Sequence, residues 1–447
     1  MIDKDGALAR CQELVALARR RGADAADAAM RGESSESVSI RLGRLEDVSR
    51  SESESVGLRV FVGQRSATIQ TSDFSQGSFA VLAERAVEMA RRAPEDRHAG
   101  LAPEELLFRG EEPDLDLADP VEPSPGHLRD WAAACEDAAR AVAGVTNSNG
   151  GGASASRTVG ALATSHGVAR AAAGTGHSLS ASVIAGEGSR MQTDHAWRSA
   201  RHAGDLPSPE EIGREAGERA VARVGPGAMP SRPMPVVFDP RVGSGLLGHL
   251  LGAMSGGAAA RKTSFLLGHE EEALLDSSIR VVENPLRRRG LASRAVDGEG
   301  LATTERALVE DGRIFGWLTN AAAARQLGVA LTGHAARGGG APGVATSNVH
   351  MEPGDLSPEA LMADIADGLY VTDLFGQGVN LVTGDYSRGA AGFRIVNGER
   401  AGPVAEITIA GNLLAMFRAL TPADDLAFHR AVNVPTLRIE GMMVASA

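Results

Sequence analysis

The stretch Gly57–Thr71, "GLRVFVGQRSATIQT", alternates apolar and polar residues on both sides of Gly63 and Gln64. A period of two interrupted by a glycine-containing pair predicts two antiparallel strands joined by a tight turn. Strand character extends upstream through "SVSIRLGRLEDVSRSESESV" at Ser37–Val56. Before it, Leu8, Cys11, Leu14, Val15 and Leu17 share one face of a helix expected from about Asp5 to Arg21. After it, Phe79, Leu82, Ala83, Ala86 and Ala90 recur at three and four residues, predicting an amphipathic helix within Ser75–Arg92. The chain therefore opens as helix, sheet, helix.

Further along, the acidic, proline-rich segment "APEELLFRGEEPDLDLADPVEPSP" marks an extended connector at about 101–125. Helix patterns follow at His127–Val142 and Pro209–Val224. Between them, short strands are expected around glycine turns at Ser165–Gly167 and Gly174–Gly176. "GPGAMPSRPMP" divides the chain into regions 1–225 and 226–447. The second region begins with a strand, "VVFD", and a glycine-rich helix, and continues in hairpins around Asp311–Gly312 and Asn397–Gly398. The whole reads as α+β.

Composition narrows the function. The 447 residues exceed what one core usually supports, and 43% are hydrophobic but only 4% aromatic, with 54 glycines. A net charge of -12 opposes direct nucleic-acid binding, and the short basic run Arg287–Arg289 reads as a solvated patch. No segment approaches the roughly 18 apolar residues of a membrane span, and the N-terminus lacks a signal-peptide pattern. A cytoplasmic location is expected. Two cysteines, Cys11 and Cys135, exclude a disulfide framework and a cysteine-rich zinc motif.

Motifs for chemistry come close without closing. "GGAAARKT" has Arg261 where a phosphate loop requires glycine, and "GGGAPG" at Gly338–Gly343 has neither a strand before it nor a helix after it. "DYSRG" carries Asp385 where a nucleophile elbow needs glycine, which leaves Ser387 as a loop hydroxyl. His269, in "HEEEALLD", is followed by Ala273 and Leu274 where a second histidine would stand, so it reads as an acidic helix start. His249 lies in "LLGHLLGAMSGG" without a neighbouring glutamate or second histidine, and one ligand cannot hold zinc. No catalytic or metal-binding residue is assigned.

Val371–Phe417, "VTDLFGQGVNLVTGDYSRGAAGFRIVNGERAGPVAEITIAGNLLAMF", resembles the TldD/PmbA family. "FDPRVGSGLLGHLLGAMSGGAAARKTSFL", "VDGEGLATTERALVEDGRI" and "NVPTLRIEGMMV" match in the same order. Members were first named modulators of DNA gyrase, and the family includes zinc-dependent peptidases. Its TldD branch carries HExxxH on a helix and a late cysteine ligand; the PmbA branch, or TldE, lacks them. With His249 alone on the equivalent helix and both cysteines in the first third, this chain is similar to TldE.

The resemblance implies an N-terminal α/β region with a mixed sheet and a C-terminal β-rich, barrel-like region carrying the glycine-rich helix. It implies a non-catalytic subunit that pairs with a TldD-like partner, the partner holding the zinc, around a cavity for unfolded or extended peptides. Contact with peptide or partner is expected at Gly376, Gln377, Gly378, Asn380, Asp385, Tyr386, Ser387 and Arg388. Homodimers of the isolated chain are also expected to be accessible. Two other classes stay open: a regulatory protein acting on toxin–antitoxin or gyrase partners without proteolysis, and an independent hydrolase using Asp385, Ser387 or His249.

Overall fold

The computed structural model describes residues 2–446. Helix α1 (Lys4–Arg20) leads into strands β1 (Ala25–Arg41), β2 (Arg44–Val62) and β3 (Arg65–Thr71), then helix α2 (Ser78–Arg92). Asp3 caps α1 by accepting from the Gly6 amide. The β2–β3 turn falls on Gly63, in the left-handed region, and Gln64, as the opening pattern requires. Helix α3 (Pro125–Arg140), strands β4 (Val145–Thr164), β5 (Ala169–Ala185) and β6 (Gln192–Ala200), and helix α4 (Pro209–Ala222) complete this part.

The six strands form one sheet in the order β3-β2-β1-β4-β5-β6. Every pairing is antiparallel, which corrects the expected mixed sheet. Along β1, Ala26, Ala28 and Met30 meet α1 and α2, while Val38 and Ile40 meet α3 and α4. These positions share parity, so both helix pairs cover the same face at opposite ends of the long strands. The reverse face carries Asp27 and Arg59 against Glu299 and Arg337 from the second half of the chain.

One expected turn is absent. Gly167 does turn the chain between β4 and β5, but Gly174 and Gly176 lie inside the 17-residue β5. A Cβ at Gly174 would lie 3.1 Å from the Arg201 guanidinium and 3.4 Å from the Leu117 carbonyl. Glycine admits the returning connector there, where Leu117 accepts from the Thr175 amide.

Strands β7 (Arg232–Phe238), β8 (Asp367–Phe375), β9 (Asp385–Val396), β10 (Glu399–Asn412) and β11 (Leu437–Ser446) run in the order β10-β9-β8-β7-β11. The β10–β11 pairing closes them into the expected barrel. Only β7 and β8 are parallel. At a bulge between β8 and β9, a Cβ on Gly392 would lie 1.9 Å from the Tyr370 carbonyl oxygen, so glycine is required. Hairpins form at Asp311–Gly312 and Asn397–Gly398, all four residues at positive φ. Helix α5 (Pro240–Ala253) packs on the barrel core. Among the described residues, no helix is long and apolar enough to cross a membrane.

Candidate functional site

Asp239 caps α5 by accepting from the Arg241 amide at 3.0 Å, and Pro240 occupies the first turn. Leu246, Leu247, Leu250, Leu251 and Met254 point into the barrel core. Gly245, Gly248 and Gly252 lie on the opposite, exposed face. His249 sits half-buried between these faces, its ring edge-to-face with Tyr386 at 6.2 Å.

The segment between β8 and β9 lies over the C-terminal end of this helix. It is organised by hydrogen bonds and is less permissive than its glycine content suggests. The Ser387 amide donates to the Gly378 carbonyl at 2.6 Å, and the Asn380 amide donates to the Asp385 carbonyl at 2.9 Å. The Asn380 side chain accepts from the Val382 amide, and the Arg388 guanidinium donates to the Phe375 carbonyl at 3.2 Å. The Phe265 amide donates to the Leu381 carbonyl, and Leu381 lies 3.8 Å from where a Gly252 Cβ would be. Phe375, Gly376, Gln377, Gly378 and Val382 remain exposed.

Of the eight expected contact residues, the structure gathers Gly378, Asn380, Asp385 and Ser387 into this hydrogen-bonded corner. Gly376 and Gln377 stand at its rim, with Gly376 at positive φ. Tyr386 faces inward against His249 of α5, and Arg388 is near enough for its charge to act on that ring. Tyr386 is buried, and burial pushes its phenol up to about 12 despite the opposing effect of Arg388. Ser387 lies in β9, correcting the loop placement, with its hydroxyl on the exposed face.

Burial, and then the Arg388 charge, hold His249 below the usual histidine value, so it is neutral near pH 7. A neutral imidazole can ligate a metal, but a nearby guanidinium and phenol do not complete a zinc sphere. Among the described residues, no cluster of three His, Cys, Asp or Glu side chains could hold a metal ion. Cys11 and Cys135 are buried in separate helix–sheet cores, where burial pushes each thiol up to about 12. The residues present do not fit a zinc centre.

Other expectations resolve nearby. His269 donates from Nδ1 to the Glu272 carboxylate across 2.9 Å in a turn, not at a helix start. Gly338–Gly343 leads into a two-residue strand; its Gly339 carbonyl abuts Gly57 of β2, where a Cβ would lie 1.8 Å away. A buried pair, Glu283 and His334, joined at 2.6 Å, carried no local sequence signal because 51 residues separate them. A cavity of about 550 Å³ lies between the reverse face of the first sheet and segments 293–298 and 335–338.

Three family descriptions match the chain: PmbA/TldA metallopeptidase domain 1 over residues 26–90, the central domain over 118–224, and the C-terminal domain over 231–446. The metalloprotease PmbA of Escherichia coli O157:H7 is 37% identical over 94% of this chain and 92% of its own length. A PmbA homologue from Haemophilus influenzae is 35% identical over 96% of this chain and 94% of its own. A crystal structure from Bacteroides thetaiotaomicron, named as a candidate modulator of DNA gyrase, superposes with a TM-score of 0.91 at 25% identity, covering 100% of both chains. TldE from Thermococcus kodakarensis shares the fold, with a TM-score of 0.85 at 21% identity over 97% of this chain and 99% of its own. With all three domains matched in order and a relative 37% identical across nearly its whole length, this chain belongs to the PmbA/TldD metallopeptidase family.

Proposed function

We propose that this chain is a TldE-like, non-catalytic subunit of a zinc-dependent metallopeptidase acting on unfolded or extended peptides. The observation that carries the reading is α5 itself. It keeps the packing of a site helix, yet presents His249 beside Tyr386, with no glutamate and no second histidine on the helix. The zinc and the water it activates would belong to a TldD-like partner.

The exposed glycine face of α5, the braced 376–388 corner, and the apolar rim of Phe375 and Val382 favour a role in completing the shared cavity. Exposed backbone at Gly376–Gly378 suits an extended peptide, which is recognised through main-chain hydrogen bonds.

The test is zinc content and peptide hydrolysis, measured on the purified chain alone and after mixing with a TldD-type subunit. The chain alone is expected to hold less than about a tenth of an equivalent of zinc and to be inactive. The mixture should form a heterodimer and cut unfolded peptide in a chelator-sensitive manner. A full tightly bound equivalent in the chain alone, with hydrolysis, would overturn the proposal.

A further inference from the structure

A second cavity, of about 330 Å³, opens where the first sheet and α4 meet the N-terminus of α5 and the barrel. Five arginines line it, Arg198, Arg219, Arg241, Arg400 and Arg430, against two carboxylates, Asp239 and Asp425. The concentration of positive charge is out of keeping with a chain of net charge -12.

The nearby acids are already engaged. Asp239 accepts from the Arg241 amide and the Tyr370 hydroxyl, and Asp425 accepts from both the amide and the hydroxyl of Thr436. Glu215 is shared between Arg198 and Arg219, and Asp194 between Arg223 and Arg241. Among the described residues, Arg400 and Arg430 have no carboxylate partner. Arg400 lies over the Tyr370 ring at 4.3 Å and Arg430 over Trp197 at 5.1 Å.

Hydrogen bonding points the same way. The Nε–H groups of Arg198 and Arg241 are closed off behind the cavity wall without a hydrogen-bond acceptor, the latter 3.9 Å from an Asp239 carboxylate oxygen, which leaves the guanidinium ends to meet a ligand. Burial first, and then neighbouring guanidiniums, hold Arg219 and Arg430 below the usual arginine value. An anion in the cavity would relieve that crowding.

We propose that this junction binds a phosphate-bearing small molecule, whose oxyanion is held by the guanidinium groups of Arg400 and Arg430, which line the cavity without a carboxylate partner. A phosphate monoester offers several oxygens and nearly two negative charges, matching more than one guanidinium fork, whereas a single carboxylate satisfies one. The cavity is the size of about ten water molecules, so it leaves space for an organic body beside the phosphate. Arg198 and Arg219 come from the first half of the chain, and Arg241, Arg400 and Arg430 from the second. The ligand would therefore tie the two halves together. This site stands apart from the α5 glycine face and does not depend on the peptidase reading.

The test is isothermal titration and thermal denaturation of the full chain in phosphate-free buffer, with inorganic phosphate, glycerol phosphate and citrate as separate probes. Saturable binding of glycerol phosphate with a rise in Tm is expected, citrate binding at least about tenfold more weakly. Arg430→Gln should weaken glycerol phosphate about tenfold or more while the unliganded protein stays folded. Should that variant fail to fold, the exposed Arg400→Gln serves as the second probe, with a smaller loss expected. Absence of saturable binding up to about 10 mM glycerol phosphate would overturn the proposal. So would equal binding of citrate, or wild-type affinity in a folded Arg430→Gln.

Discussion

Replacing Gly378 with alanine tests whether the corner over α5 is a built surface. The new Cβ would lie 1.9 Å from the Ser387 carbonyl oxygen and 3.0 Å from its carbon, both backbone atoms that no rotamer change can move. Restoring ordinary contact near 3.4 Å requires a shift of about 1.5 Å. The bond from the Ser387 amide to the Gly378 carbonyl, now 2.6 Å, would then exceed hydrogen-bonding distance. Losing it, with the adjoining bridge between Val379 and Tyr386, costs about 1–3 kcal/mol. Because Gly378 is exposed and the barrel core lies beneath, this cost should appear as local opening. Hydrogen exchange at the Ser387 and Asn380 amides is the assay, with about 5- to 150-fold faster exchange expected and a Tm change below about 3 °C. Pairing with a TldD-type subunit should weaken in parallel. Unchanged exchange at these amides would refute the claim that the corner is held by this contact.

The other predictions concern α5, helix packing and pH. His249→Ala should leave the zinc content of a reconstituted heterodimer unchanged, as metal analysis would show; a lost equivalent would return His249 to the ligand set. Gly213→Ala in α4 would place a Cβ 2.2 Å from the Cys135 carbonyl oxygen of α3 and should cost about 2–3 kcal/mol by denaturant melts, with a neutral result contradicting the packing described. Burial alone would raise the Glu283 carboxyl, but the His334 hydrogen bond and charge, with the Ser347 amide, hold it below its ordinary value of 4.5. Its stabilisation is therefore present above about pH 4.5 and lost as pH falls through the lower folded value. Glu283→Gln should lose about 2–3 kcal/mol at pH 7 and melt with a shallower acid dependence; an unchanged acid limb would exclude this pair as its source.

Much of the local structure follows from residues close together in the chain. Ser124 and Ser208 before prolines start α3 and α4, and Asp311–Gly312 and Asn397–Gly398 turn their hairpins, because capping and positive φ are satisfied within a few residues. The lack of a second histidine or a glutamate beside His249 is equally local, and it already removes a helical zinc motif. The sequence alone thus determines the amphipathic elements, the tight turns and the missing ligand pattern.

Tertiary structure decided the rest, since it depends on partners far along the chain. Gly174 and Gly176 look like a turn until Leu117 and Arg201 occupy the space that their absent side chains leave. Closure of the barrel rests on β10 pairing with β11, and the fully antiparallel first sheet on β4 returning beside β1. Tyr386 meets His249 only because β9 is packed against α5, with Leu381 of the preceding segment folded back near Gly252. Arg198 and Arg219 meet Arg400 and Arg430 only where the two halves of the chain join. Periodicity records which face of an element is buried, but not what buries it, because that choice is made by long-range packing and charge.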